Sequence, residues 1–183
     1  MKALRVWFYD PAADSEGFIN KLVSSVDKPF CHVEVKFANN RGCSIYMGGK
    51  VALRERTFDS PNYVCLSVPC NNVQHTLAMG HAKHMHCAGL VFISLQMALC
   101  LAWAPATKNP WLTFCSKLVT EIIKQAGLLD GGINPQGVSL SALHCMLLPQ
   151  CACGTRRRAG TPAASLLPSM ALDFKASSQH LTR

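Results

Sequence analysis

The sequence predicts an α+β domain in which an antiparallel β-sheet or barrel packs against a helix that begins at a cysteine. Two observations predict this class. Between residues 4 and 68, short runs rich in β-branched and aromatic residues are separated by turn residues, as in antiparallel strands. From residue 69 onward, the sequence changes to patterns typical of helices.

Five strands and one short helix are predicted in the first part of the chain. Alternation and turn signals place the strands at residues 4–9, 30–37, 43–47, 50–55 and 63–68. An amphipathic helix at residues 18–26 separates the first two strands. The sheet therefore begins with a strand, a helix and a second strand that contains His32.

Helix-like sequence is predicted from residue 69 through roughly residue 104. Residues 87–104 are apolar apart from Ser94 and Gln96 and carry no charge, at the lower limit of length for crossing a bilayer. Pro105 follows at once, and no basic cluster sets an orientation. We expect a buried or half-buried helix, with association with a membrane as the alternative.

A helix that opens at Cys115 carries the chemistry that we predict. Thr113 is expected to be its N-cap and Gly127 its end. A thiol in the first turn lies at the positive end of the helix dipole, which favours the thiolate. Nearby backbone N–H groups could hold an oxyanion. The alternative is a small buried cysteine. The apolar stripe of this helix consists of Leu118, Val119, Ile122 and Ala126.

Composition indicates one domain at residues 1–149, which ends with a short helix at 139–148, and a flexible basic tail rich in Ala, Ser and Pro at 150–183. The chain has 183 residues and is 49% hydrophobic, which is enough for a core.

Its net charge of +8 comes partly from Arg156, Arg157 and Arg158. Basic residues form no stripe with interleaved aromatics, so nucleic-acid binding is not predicted.

Ten cysteines without a repeating spacing, and an N-terminus that does not run into a signal peptide, indicate free thiols in a reducing compartment. We therefore expect a cytoplasmic protein, with peripheral association with membranes as the alternative. Most of the cysteines are expected in the core.

A histidine cluster and a cysteine cluster lack a closed four-ligand spacing, so neither a metal nor another cofactor is predicted. They are His75, His81, His84, His86 and Cys87, and Cys145, Cys151 and Cys153.

His32 is the candidate base. Alternation places Phe30, His32, Glu34 and Lys36 on one face of their strand and Cys31 on the other, in the core. A carboxylate beside an imidazole fixes its tautomer and raises its basicity, so His32 and Glu34 suit a Cys–His dyad or triad. The alternative is that this face is simply exposed to solvent.

The order of these elements resembles the circularly permuted papain-like fold of the NlpC-type superfamily. That group includes the YiiX/YaeF-like bacterial proteins, the lecithin:retinol acyltransferase-like proteins and viral relatives, in which the histidine strand precedes the cysteine helix. The resemblance spans roughly residues 3–148 and includes a closing segment with Asn134-Pro135. The two motifs that carry it are Cys31-His32-Val33-Glu34-Val35 and Phe114-Cys115-Ser116-Lys117-Leu118-Val119.

The resemblance implies that Cys115 is the nucleophile and His32 the base. Glu34 is the nearby candidate for the third residue, but relatives often take it from the following strand, where Ser44 or Tyr46 would serve. The Cys115 N–H would be one oxyanion donor, and a second is expected near Tyr9-Asp10.

The function expected from this resemblance is that of a thiol hydrolase, a cysteine peptidase or amidase that acts through a thioester intermediate. One alternative is a lipid acyltransferase or thioesterase on the same fold. Another is a non-catalytic interaction protein that retains the scaffold. The expected partner is a peptide, amide or lipid-ester substrate, and the oligomeric state stays open.

Overall fold

A computed structural model describes residues 2–11, 28–46, 48–92, 112–151 and 157–158. It confirms the α+β class: five antiparallel strands form an open sheet in the order β4-β3-β2-β1-β5, and three helices accompany it. The five strands are β1 (Lys2–Tyr9), β2 (His32–Lys36), β3 (Arg41–Ser44), β4 (Ala52–Glu55) and β5 (Tyr63–Cys70). Each of the five predicted strands therefore has a counterpart in the sheet.

Three strands of two residues complete the described strand structure. They are β6 (Val91–Phe92), β7 (Leu112–Thr113) and β8 (Arg157–Arg158). The first two pair with each other in parallel, and β8 pairs with Val64 and Cys65 of β5. Two residues of the predicted flexible tail thus extend the sheet, while the boundary after residue 149 stays a prediction.

The central strand β1 sets the two faces of the sheet. Val6 lies opposite Val35 of β2 and Leu66 of β5, and all of these side chains are buried in one core. The next residue, Trp7, lies opposite Glu34, on the other face. The sheet therefore separates an apolar core from a face that carries polar and aromatic side chains.

The α-helices of the described residues are α1 (Asn72–Cys87), α2 (Cys115–Gln125) and α3 (Leu140–Leu147). The prediction of helical sequence from residue 69 to 104 is wrong on either side of α1, because a strand precedes this helix and another strand follows it. Pro69 still belongs to β5, and Asn71 and Gln74 form a capping box that starts the helix. After Cys87, Gly89 takes a positive φ of 65° and the chain enters β6. The predicted helix at 18–26 and residues 93–104 lie outside the described residues.

The helix α2 packs on the core side of the sheet, against β2 and β3. Its predicted apolar stripe is buried, and Gly127 follows its end with a φ of +67°, as expected. Thr113 as N-cap is wrong, because Thr113 belongs to β7 and Phe114 occupies the cap position without a side-chain hydrogen bond. Cys115 therefore starts a helix that is held by packing rather than by a side-chain cap.

Within the described parts of the chain, no helix has both the length and the apolar character needed to cross a membrane.

Replacing Leu118 with alanine should destabilise the protein by about 2–5 kcal/mol, because Leu118 is fully buried under the sheet and its loss leaves a cavity. Leu77 on α1 is the matched control, since it is 51% exposed and its replacement should change stability by about 0.5 kcal/mol or less. Urea denaturation of both variants measures the difference. Equal losses at the two positions would contradict the packing described for α2.

Candidate active site

His32 and Cys115 come together although 83 positions separate them (115 − 32). His32 is the first residue of β2, opposite Tyr9 of β1, and Cys115 is the first residue of α2. The Cys115 thiol lies beside the His32 imidazole, close enough to raise the pKa of the ring. Because α2 packs directly on β2, this contact belongs to the packing of the helix on the sheet.

The thiol of Cys115 also lies at the amino end of a regular helix. The first helical hydrogen bond runs from the Leu118 N–H to the Phe114 carbonyl, at 2.9 Å. The N–H groups of the first three helical residues therefore precede the helical ladder and carry the positive end of its dipole. Such a position stabilises negative charge on a thiol or on an oxygen bound beside it.

Glu34 lies on the other side of the imidazole. Its carboxylate is fully buried, and its Oε1 atom is 3.5 Å from His32 Nε2. The alternative that this face of β2 is simply exposed to solvent is therefore wrong at Glu34. A buried carboxylate needs several donors, and three further side chains supply them.

Tyr46, Arg56 and Tyr63 surround the Glu34 carboxylate. The Tyr46 hydroxyl donates to Oε1 at 2.6 Å, and the Tyr63 hydroxyl donates to the same atom at 3.4 Å. Arg56 binds both oxygens, with Nη2 at 2.8 Å from Oε1 and Nε at 3.3 Å from Oε2. Sequence reasoning missed Arg56 and Tyr63, because neither stands at a motif spacing from His32 or Cys115.

The three candidates for the third residue differ in how they meet His32. Glu34 approaches Nε2 with its carboxylate, whereas the Tyr46 ring stacks on the imidazole with centroids 4.7 Å apart. The Ser44 hydroxyl is buried and makes no hydrogen bond to any described residue. Of the three side chains, Glu34 and Tyr46 therefore contact the imidazole, one at its edge and one on its ring.

The His32 imidazolium and the Glu34 carboxylate each stabilise the charged form of the other. Burial by itself lowers the pKa of His32, but the neighbouring Cys115 thiol and Glu34 carboxylate outweigh this effect and raise the pKa to about 9. Burial raises the pKa of Glu34, yet the nearby His32 and the hydrogen bonds from Arg56 lower it to about 2. The site therefore favours an imidazolium beside a carboxylate at neutral pH.

The expected second oxyanion donor at Tyr9-Asp10 is not supported at Asp10. Its N–H group already donates to the Asn62 carbonyl at 2.9 Å. Cys31 lies in the core, as predicted, and burial together with the charges of Cys115 and Asp10 raises its pKa to about 12. Cys31 is therefore a neutral thiol next to the site.

The side chains of the histidine cluster on α1 do not come together at one point. His75 accepts a hydrogen bond from the Ala38 N–H at 3.3 Å, and His86 Nδ1 lies 2.7 Å from the Val51 carbonyl. The rings of His81 and His84 are 6.3 Å apart. Among the described residues, no group of three or more potential ligands could hold a metal ion.

No family model, curated protein or solved structure matches this chain. Inference about its chemistry therefore depends on the contacts that join Cys115, His32 and Glu34.

Replacing Glu34 with glutamine should destabilise the protein most near neutral pH and least at low pH. The pKa of Glu34 falls from 4.5 to about 2 on folding, so its stabilising effect is complete above pH 4.5 and is lost as the pH falls toward 2. Urea denaturation of both proteins at pH 6 and pH 3 measures the change. Glu55→Gln, at an exposed residue of β4, is the control. A difference from wild type that is as large at pH 3 as at pH 6 would contradict the ionised, buried state of Glu34.

Proposed function

We propose that this protein is a thiol hydrolase, a cysteine peptidase or amidase with a permuted papain-like fold. One observation carries the proposal: the Cys115 thiol lies beside the His32 imidazole at the amino end of a helix, and the Glu34 carboxylate lies 3.5 Å from Nε2 of the same imidazole. Nucleophile, base and orienting group in this order form the arrangement used for nucleophilic catalysis by cysteine.

His32 would act first as a base, and its raised pKa means that at neutral pH the imidazolium already holds the proton that Cys115 gives up. Because Nε2 lies against Glu34, Nδ1 is the nitrogen that would carry this proton. The thiolate would then attack a carbonyl carbon, and the Cys115 N–H would donate to the oxyanion of the tetrahedral intermediate. The imidazolium would return the proton to the departing amine or alcohol. Water, activated by the neutral imidazole, would hydrolyse the thioester and regenerate the thiol.

The arrangement of α3 supports the permuted papain-like fold. Asn134 caps the short 3-10 turn Pro135–Gly137, and Ser139 caps α3. The Ser116 hydroxyl donates to the Val138 carbonyl at 2.8 Å, which joins this closing segment to the helix of the nucleophile. The histidine strand precedes this helix in the chain, as the permuted order requires.

The state of the cysteines supports a reducing compartment such as the cytoplasm as the place of action. Cys31, Cys43, Cys70 and Cys115 are buried and take part in no disulfide. Burial raises the pKa of both Cys31 and Cys43 to about 12, so these thiols stay protonated and behave as small apolar groups.

Iodoacetamide at mildly acidic pH should alkylate Cys115 before the exposed thiols of Cys87 and Cys145. Cys115 is only 5% exposed, so accessibility alone predicts the opposite order, whereas the proposed mechanism requires Cys115 to be the most nucleophilic of these thiols. Mass spectrometry of peptides after short treatment measures the order. Earlier labelling of Cys87 and Cys145 would remove the basis of the proposal.

Replacing His32 with alanine should slow acylation of Cys115 by about 10²–10⁴-fold, the contribution typical of a general base. Acyl and peptidyl electrophiles, used side by side, measure this rate and distinguish the lipid-ester from the peptide class of substrate. Cys115→Ala should abolish labelling at this position, and His84→Ala, on the exposed side of α1, should leave the rate unchanged. Equal rates in wild type and His32→Ala would contradict the role of His32.

A further inference from the structure

The Glu34 carboxylate is bound more closely by Arg56 than by His32. The guanidinium holds it in a two-pronged contact, with distances of 2.8 Å and 3.3 Å, whereas His32 Nε2 lies 3.5 Å from Oε1. In a simple triad, the carboxylate serves mainly the imidazole. Here the same Oε1 atom is shared between the guanidinium and the imidazole.

The position of Arg56 is itself fixed by its surroundings. Its guanidinium lies over the rings of Tyr46 and Phe58, 5.7 Å and 5.5 Å from their centroids, and the backbone N–H of Arg56 donates to the Asn40 carbonyl. The side-chain stem crosses Gly42, where an added Cβ would lie 2.9 Å from Arg56 Cγ. A residue other than glycine at position 42 would therefore displace the arginine.

We propose that Arg56 is a positioning residue that holds Glu34 and limits the pull of its carboxylate on the His32 imidazolium. This inference rests on the proposed function, in which His32 must take a proton and later return it. A carboxylate that served His32 alone would hold the imidazolium more tightly and slow the return of the proton to the leaving group. By sharing the carboxylate, Arg56 keeps Glu34 ionised while it leaves the imidazolium able to act as an acid.

The charge of Arg56 also acts on His32 directly, since both cations meet at one oxygen atom. Removing the guanidinium removes a like charge and lets Glu34 interact more strongly with the imidazole, and both changes favour the protonated form. Titratable and charged groups from every neighbouring element surround this pair: Tyr9 and Asp10 at the end of β1, Cys31 and Glu34 around β2, Tyr46 after β3, Arg54 and Arg56 at the end of β4, Tyr63 of β5 and Cys115 of α2.

The test is the titration midpoint of His32, followed by NMR through its ring Cε1–H signal and assigned with a His32→Gln variant. In Arg56→Met the midpoint should rise by at least about 0.5 pH unit, and in Glu34→Gln it should fall. Arg41→Met is the matched control, because Arg41 is an exposed arginine of the neighbouring strand β3 and is not among the charged groups that surround the pair. A midpoint in Arg56→Met that is unchanged or lower would overturn the proposal.

Two further variants keep the test decisive if Arg56→Met does not fold. Gly42→Ala retains every charge and should raise the midpoint by a smaller amount, because it moves the arginine stem away from its place over Gly42. Arg56→Lys keeps a cation without the two-pronged contact, and its midpoint should lie between those of wild type and Arg56→Met. A merely structural role for Arg56 would lower the melting temperature of these variants without moving the midpoint.

Acylation of Cys115 by p-nitrophenyl acetate separates this inference from the proposed function. If wild type releases no burst of p-nitrophenol relative to Cys115→Ala, the proposed function fails, yet the NMR midpoint still reports whether Arg56 controls His32. If the burst is present and the midpoint does not rise in Arg56→Met and Gly42→Ala, the function stands and the role of Arg56 falls.

Discussion

A single buried carboxylate, that of Glu34, determines how the polar face of the sheet is arranged. Burying an ionised group without partners would cost several kcal/mol, so the fold must bring donors to it from other strands. The donors are Tyr46, which follows β3, Arg56, which follows β4, and Tyr63, the first residue of β5. Strand order and register on this face are therefore coupled to one side chain, and His32 lies at its edge.

The opposite face of the sheet determines where the thiol lies. Leu118 and Ile122 are fully buried on α2, and they fix the axis of the helix against β2 and β3. Phe114 caps this helix without a side-chain hydrogen bond, so the amino end of α2 is positioned by its packing. Apolar packing on one side of the sheet therefore positions the Cys115 thiol. On the other side, Glu34, held by its ion pair with Arg56, lies against His32, which is the neighbour of that thiol.

Local patterns in the sequence predicted most of the strands, the helix α2 and the pair formed by Cys115 and His32. These features depend on periodicity and on turn residues, which short windows of sequence contain. The long helix after residue 69 was predicted wrongly, because apolar composition continues past Gly89 while the backbone reverses there. Arg56 could not be assigned, since its contact with Glu34 spans 22 positions and depends on the pairing of β3 with β4.

Cys115 differs from Cys31 and Cys43 in its neighbours rather than in its exposure. Cys31 and Cys43 are buried like Cys115, but burial raises the pKa of each to about 12, and a neutral thiol is inert as a nucleophile. Cys115 differs in that its thiol contacts an imidazole whose pKa is raised to about 9 at the amino end of a helix. The same burial that keeps Cys31 and Cys43 neutral strengthens the electrostatic interactions of Glu34 with His32 and Arg56.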